Sequence, residues 1–238
     1  MLEITARPGD VSEVASADPL TPPPALPPVG MPGPRLTADR LSCVRDDRAL
    51  FRDLSFGVGP GEVLQVDGRN GSGKTSLLLI LCGLTSPSAG EVLWGGQPIE
   101  RVRSDFLLDL AYLGHSPGVK LDLTPTENLR MARALKRSRD EIGLEEALER
   151  VGLVGFEDVP VRSLSAGQGR RVALARLLIT RARVWILDEP FTAIDRRGVA
   201  AVEALIAEHT QEGGMAVLTS HHPVRLPGCQ VNSLHLVA

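Results

Sequence analysis

The stretch "EVLQVDGRNGSGKTSLLLILCGL", Glu62 to Leu84, constrains the fold more than any other part of the chain. A short apolar run with the length of a strand ends in a glycine-rich loop. The loop passes straight into a segment that is apolar nearly all round, hence a buried helix. Gly68 to Thr75 fits the spacing G-x-x-x-x-G-K-[ST], a pattern that holds phosphate only when it joins a strand to a helix. Its glycines let backbone amides turn inward around phosphate oxygens, and the helix start adds the positive end of a dipole. Gly68, Arg69, Asn70, Gly71, Ser72, Gly73, Lys74 and Thr75 are therefore candidate nucleotide-binding residues. Lys74 is expected to neutralise the β- and γ-phosphates of a nucleotide such as ATP, and the Thr75 hydroxyl to ligate Mg²⁺.

A second apolar run, "VWILDEP", delivers two carboxylates to a strand tip. Asp188 is placed to hold the metal, and Glu189, directly after it, to orient or deprotonate an attacking water. A third, "MAVLTSHH", ends in polar residues in the same way. Short continuous apolar strands of this kind belong to a parallel sheet buried on both faces, with functional groups at the strands' C-terminal ends. Before the phosphate loop, "ADRLSCV" and "LFRDLSFGV" read as an antiparallel pair, and "AGEVLWGGQPI" as a hairpin turning at Gly95-Gly96.

The middle third carries helix start signals. Thr124-Pro125-Thr126-Glu127 is a capping box with proline at the first helical position, and Ser138-Arg139-Asp140-Glu141 repeats the device before "IGLEEALERVGL". A third such box, Ser165-x-x-Gln168, opens "LSAGQGRRVALARLL". At a helix start, the Ser165 hydroxyl and the Gly167 amide can also face a γ-phosphate.

Composition excludes several classes. A net charge of −3 and pI near 6.0 give no basic footprint for nucleic acid or anionic lipid. Three scattered cysteines without a C-x-x-C pair suit a reducing cytoplasm better than a disulfide or zinc framework. The N-terminus lacks the apolar core of a signal peptide, and no run reaches the length of a membrane span. Residues 1–34 hold half of the 18 prolines and read as a mobile tail, with one folded domain over residues 35–238 and a helical insert at about 116–180.

"LSAGQ" differs by one methyl group from the L-S-G-G-Q signature of ATP-binding cassette (ABC) ATPases, and the phosphate loop, Asp-Glu pair and later histidine follow in that family's order. The chain resembles this family over about residues 38–225. The resemblance implies an α/β, P-loop NTPase fold with an ABC-type core. That is a mixed sheet flanked by helices, a small antiparallel β subdomain and an inserted helical subdomain carrying the signature. It further implies an ATP-dependent homodimer in which Ser165, Ala166, Gly167 and Gln168 face the nucleotide of a second copy. Asp195 would lie at the seam, and His221 would contact the γ-phosphate, with His222 the neighbouring candidate. His209 and His235 are left as surface or core residues. The aromatic residue on which this family stacks adenine is replaced here by Arg45, whose planar guanidinium can stack on a base.

"AYLGHSPG" occupies the place of the family's glutamine loop, with His115 where the glutamine would stand. Imidazole lacks the amide oxygen favoured by hard Mg²⁺, so His115 is expected to act through water or in coupling rather than as a direct ligand. The "YLGH" loop, "RRVALARL" and "WILDEPFTAID" resemble one branch of the family, the ATPase subunits of haem exporters in cytochrome c maturation. That resemblance implies ATP hydrolysis coupled to a transmembrane permease of the haem-export type, at the cytoplasmic side of the inner membrane. The ATPase of another small-substrate exporter, or a soluble non-transport ABC protein, would carry the same nucleotide motifs.

Overall fold

The computed structural model describes residues 3–6, 33–221 and 223–237. In chain order the elements are strands β1 (Glu3–Ala6), β2 (Leu36–Arg45), β3 (Arg48–Val58) and β4 (Glu62–Gly68), then helix α1 (Lys74–Leu81). Strands β5 (Ala89–Trp94) and β6 (Gln97–Pro98) precede helix α2 (Arg103–Asp109) and strand β7 (Leu110–Leu113). Helices α3 (Pro125–Leu135), α4 (Leu144–Arg150) and α5 (Ala166–Leu178) lead to strand β8 (Val184–Leu187). Helix α6 (Arg196–Gln211) and strands β9 (Met215–Thr219) and β10 (Gln230–Leu236) complete the fold.

Two sheets carry the architecture. The larger runs β1-β10-β4-β9-β8-β7, parallel throughout except for the antiparallel β1 edge. The smaller, β3-β2-β5-β6, is antiparallel. The expected early strand pair, the hairpin turning at Gly95-Gly96 and the buried parallel strands are all present. Strand β8 shows why both faces must be apolar. Trp185 and Leu187 point into a core built with α5 and α6, while Val184 and Ile186 point into the core of α1 and the antiparallel sheet. All four are at most 2% exposed, as expected for a strand covered by helices on one side and a second sheet on the other.

Three sequence expectations change. Glu3–Ala6 pair with β10, so the first residues of the stretch read as a tail form an edge strand; its proline-rich part, residues 7–32, lies outside the described residues. Ser138 does not cap a helix. Its hydroxyl bonds to Asp140 Oδ1 and its backbone bridges to Thr180, so residues 138–142 form a turn fastened to the end of α5, and α4 starts later, after Gly143. Finally, part of "AYLGHSPG" is not loop: Leu110–Leu113 form β7, fed by α2, and only from Gly114 does the chain leave the sheet. The capping boxes at Thr124 and Ser165 form with both reciprocal bonds.

The region between β7 and β8 forms the α-helices α3, α4 and α5, with α3 and α4 packed on α5. Asn128, fully buried on α3, bonds the Lys120 amide and the Lys120 and Thr124 carbonyls, fixing the segment that leads back from the loop. His209 is likewise a core residue: its ring stacks on Trp185 at 3.9 Å and Nε2 meets Met215 O at 3.3 Å.

Burial pushes the His209 imidazole down to about 4 from its ordinary 6.5, because the charged form has no water around it. The folded chain therefore keeps the ring neutral where the unfolded chain has already taken up the proton. Between pH 6.5 and 4 the unfolded state binds more protons, and stability falls as pH falls. Across that window the wild type should lose about 3 kcal/mol more than His209→Phe in denaturant unfolding. Parallel pH profiles for the two proteins would contradict this.

Candidate active site

The site forms where the C-terminal ends of β4, β8 and β9 meet the start of α1. A cavity of about 510 Å³ opens there, lined among others by Asn70, Lys74, Thr75, His115, Glu189 and His221. The sequence thus brings residues from five separate segments to one cleft. Gly73 caps α1 at φ +96, a left-handed conformation that L side chains rarely adopt, and a Cβ there would lie 2.9 Å from Leu50 Cβ. Leu50, which the sequence did not mark, lines the cavity for this reason. Lys74 arches over the loop and donates to Gly68 O at 2.7 Å. The Ser72 hydroxyl is buried with no hydrogen-bond partner.

Asp188 is 3% exposed and both its carboxylate oxygens are held. Thr75 Oγ1 donates to Oδ2 at 2.9 Å, and Thr219 Oγ1 donates to Oδ1 at 2.8 Å. Thr219 also accepts the Glu189 amide at 2.8 Å. The sequence reading missed Thr219 because a β-branched residue in a buried strand usually signals packing alone. The hydroxyl and carboxylate oxygens of Thr75 and Asp188 form a donor set suited to a hard divalent cation such as Mg²⁺. Glu189 turns into the cavity from a backbone with φ +50. Its Oε1 is buried without a hydrogen bond, 3.3 Å from His221 Nε2, a contact that becomes an ion pair only when the imidazole is protonated.

The remaining candidates lie elsewhere. Arg45 is exposed at the end of β2, facing Arg48 across the hairpin, and does not line the cavity. Ser165 to Gln168 stand at the start of α5, outside this cleft, with Ser165 and Ala166 exposed and the Ser165 hydroxyl accepting the Gln168 amide. Asp195 caps α6 by accepting the Gly198 amide and pairs with Arg171 at 3.0 Å. His235 sits 3.8 Å from Asp67, away from the cleft, and His222 lies outside the described residues.

A glycine-rich loop ending in Lys74 and Thr75, a threonine-held aspartate and a glutamate oxygen without a hydrogen bond share one cleft, and a family model described as "ABC transporter" matches residues 51–192. The chain belongs to the ABC transporter family of ATPases. It is 52% identical, over 81% of its length and 94% of the relative's, to the "Cytochrome c biogenesis ATP-binding export protein CcmA" of Methylococcus capsulatus. To the protein of the same description from Escherichia coli strain K12 it is 50% identical, over 84% and 96% of the two chains. A solved structure described as a putative ABC transporter ATP-binding protein from Pyrococcus furiosus superposes with a TM-score of 0.71 at 28% identity. It covers 85% of this chain and 97% of that one. No helix among the described residues is long and apolar enough to cross a membrane.

Within this ABC fold, Gly167 has a packing reason beyond any phosphate. A Cβ at that position would lie 2.5 Å from Ala193 O in the loop leading to Asp195. Gly167→Ala should therefore destabilise the chain by about 1–3 kcal/mol through overpacking against backbone. Denaturant unfolding measures it, and an unchanged midpoint would refute the contact.

Proposed function

We propose that this ATPase works as a nucleotide-sandwiching homodimer at the cytoplasmic face of the inner membrane, where it drives a permease of the haem-export (CcmB) type in cytochrome c maturation. The observation that carries the reading is the division of the site. One cleft gathers Lys74, Thr75, Asp188, Glu189 and His221, while Ser165 and Ala166 stand exposed outside it. A chain that offers a phosphate cradle on one surface and an exposed helix start on another can complete two sites by pairing head to tail with a second copy. The export role draws support from relatives at 50–55% identity whose descriptions read cytochrome c biogenesis ATP-binding export protein.

In this reading Lys74 exchanges its carbonyl partners for the β- and γ-phosphates, joined by amides of the loop. Thr75 and Asp188 would hold Mg²⁺, which supplies neutralising charge to those phosphates. Glu189 Oε1, buried and without a hydrogen bond, accepts a proton from the water that attacks the γ-phosphorus. His221, beside it, donates to the γ-phosphate and senses its loss. From the edge of the same cleft, His115 links the water and metal to the loop that a permease would move.

Glu189→Gln is expected to bind ATP with unchanged affinity and to lose turnover by about a thousandfold, read as phosphate release. Full turnover in that variant would remove the glutamate from the mechanism. His115→Ala is expected to keep ATP affinity within about threefold while permease-stimulated turnover falls about tenfold. Purification from membranes and identification of the bound permease tests the assignment to cytochrome c maturation, and a permease of another transport system would overturn it.

A further inference from the structure

Arg170 lies on α5, five residues beyond Ser165, and is 4% exposed. Its guanidinium forms no ion pair among the described residues. It donates instead to four main-chain carbonyls. Nη1 reaches Gly114 O at 2.6 Å and His115 O at 3.2 Å, and Nη2 reaches Asp188 O at 2.6 Å and Glu189 O at 2.8 Å. Burying a cation is costly unless strong hydrogen bonds offset the lost water, and apolar side chains fill such space more cheaply. A cation placed here therefore points to a task other than filling the core.

The geometry names the task. In an extended strand successive carbonyls point to opposite sides, and a single nitrogen could not take both. The left-handed turn at Glu189, φ +50, brings the carbonyls of Asp188 and Glu189 to one side, where Nη2 bonds both. A non-glycine residue holds that conformation only when its surroundings enforce it. Arg170 enforces it from the carbonyl side, and Thr219 from the amide side, since its hydroxyl accepts the Glu189 amide. The other arm of the same guanidinium grips the loop that carries His115.

We infer that Arg170 is a positioning residue for hydrolysis: it fixes the main chain of Glu189 and ties it, together with the His115 loop, to the helix that begins at Ser165. The inference rests on Glu189 as the base. It has a consequence for the dimer proposed above. The start of α5 faces the nucleotide of the second copy, and Arg170, about 7–8 Å further along that helix, holds this chain's own base. One rigid element thus joins the two sites, so that engagement of one nucleotide orients the group that attacks the other.

The test compares Arg170→Met, Arg170→Lys and Thr219→Val in the full chain, measuring kcat, KM and equilibrium ATP affinity, with Glu189→Gln alongside. Arg170→Met should lower kcat at least about tenfold while KM and ATP affinity stay within about threefold. Arg170→Lys should recover part of kcat, because an ammonium restores the charge and reaches some of the carbonyls but lacks the fork that spans all four. Thr219→Val should lower kcat in the same direction. A normal kcat in Arg170→Met, or kcat and affinity falling together, overturns the inference. If Arg170→Met does not fold, unchanged kcat in both Arg170→Lys and Thr219→Val overturns it. Turnover surviving in Glu189→Gln would instead sink the base assignment itself, whereas an inactive Glu189→Gln beside a normal Arg170→Met rejects the role of Arg170 alone.

Discussion

The hydrogen bonding of the Asp188 carboxylate organises this molecule. A carboxylate at 3% exposure costs several kcal/mol of lost hydration unless its oxygens are bonded. Two threonine hydroxyls meet that demand, Thr75 from the first turn of α1 and Thr219 from the end of β9. The Asp188 amide donates in turn to Leu113 O at the end of β7. One residue thereby locks the phosphate loop, two neighbouring strands and the departure point of the His115 loop into a single register. Because β8 is apolar on both faces, its tip is the only part of it that can carry such a charge, so the fold and the location of the chemistry have the same cause.

The same cleft shows charged groups held in two different ways. Lys74 rests on carbonyls of its own loop, and Glu189 Oε1 rests on nothing stronger than the neighbourhood of His221. These are groups with capacity to spare. Arg170 differs: both its Nη nitrogens bond main-chain carbonyls while its buried Nε has no hydrogen bond, and it bears on the site only through what it holds. Under the proposed function, a site built in this way separates residues that would meet phosphate from residues that keep the first set in place.

The surface outside the cleft is equally specific. Ser165, Ala166 and Asp195 lie on connected ground, because Gly167 packs against Ala193 O and Arg171 pairs with Asp195. The signature helix and the loop leading to α6 are therefore packed and paired directly on each other. Their local bonds, Ser165 to Gln168 and Asp195 to Gly198, satisfy each helix start while it has no outside partner. A phosphate arriving at Ser165 would have to displace the first of them.

Much of this was legible in the sequence because it is local. The strand–loop–helix around Lys74, the Asp-Glu pair at an apolar strand's end, the hairpin at Gly95-Gly96 and two of the three capping boxes involve residues a few positions apart. Their spacing is their geometry. Ser138 shows the limit, since the pattern was right but the backbone found a partner at Thr180, and a bridge to the end of α5 displaced a helix cap. Arg45 stands exposed at the hairpin after β2 and does not line the cleft, whereas Leu50 on the next strand does. Thr219 and Arg170 could not be read at all: they meet Asp188 across 31 residues and Gly114 across 56. Sequence alone determined the motifs that we propose bind phosphate and metal, since those motifs need only their own neighbours. Only the tertiary structure decided what holds the groups in place, because a buried charge takes its partners from whichever segments the packed core brings beside it.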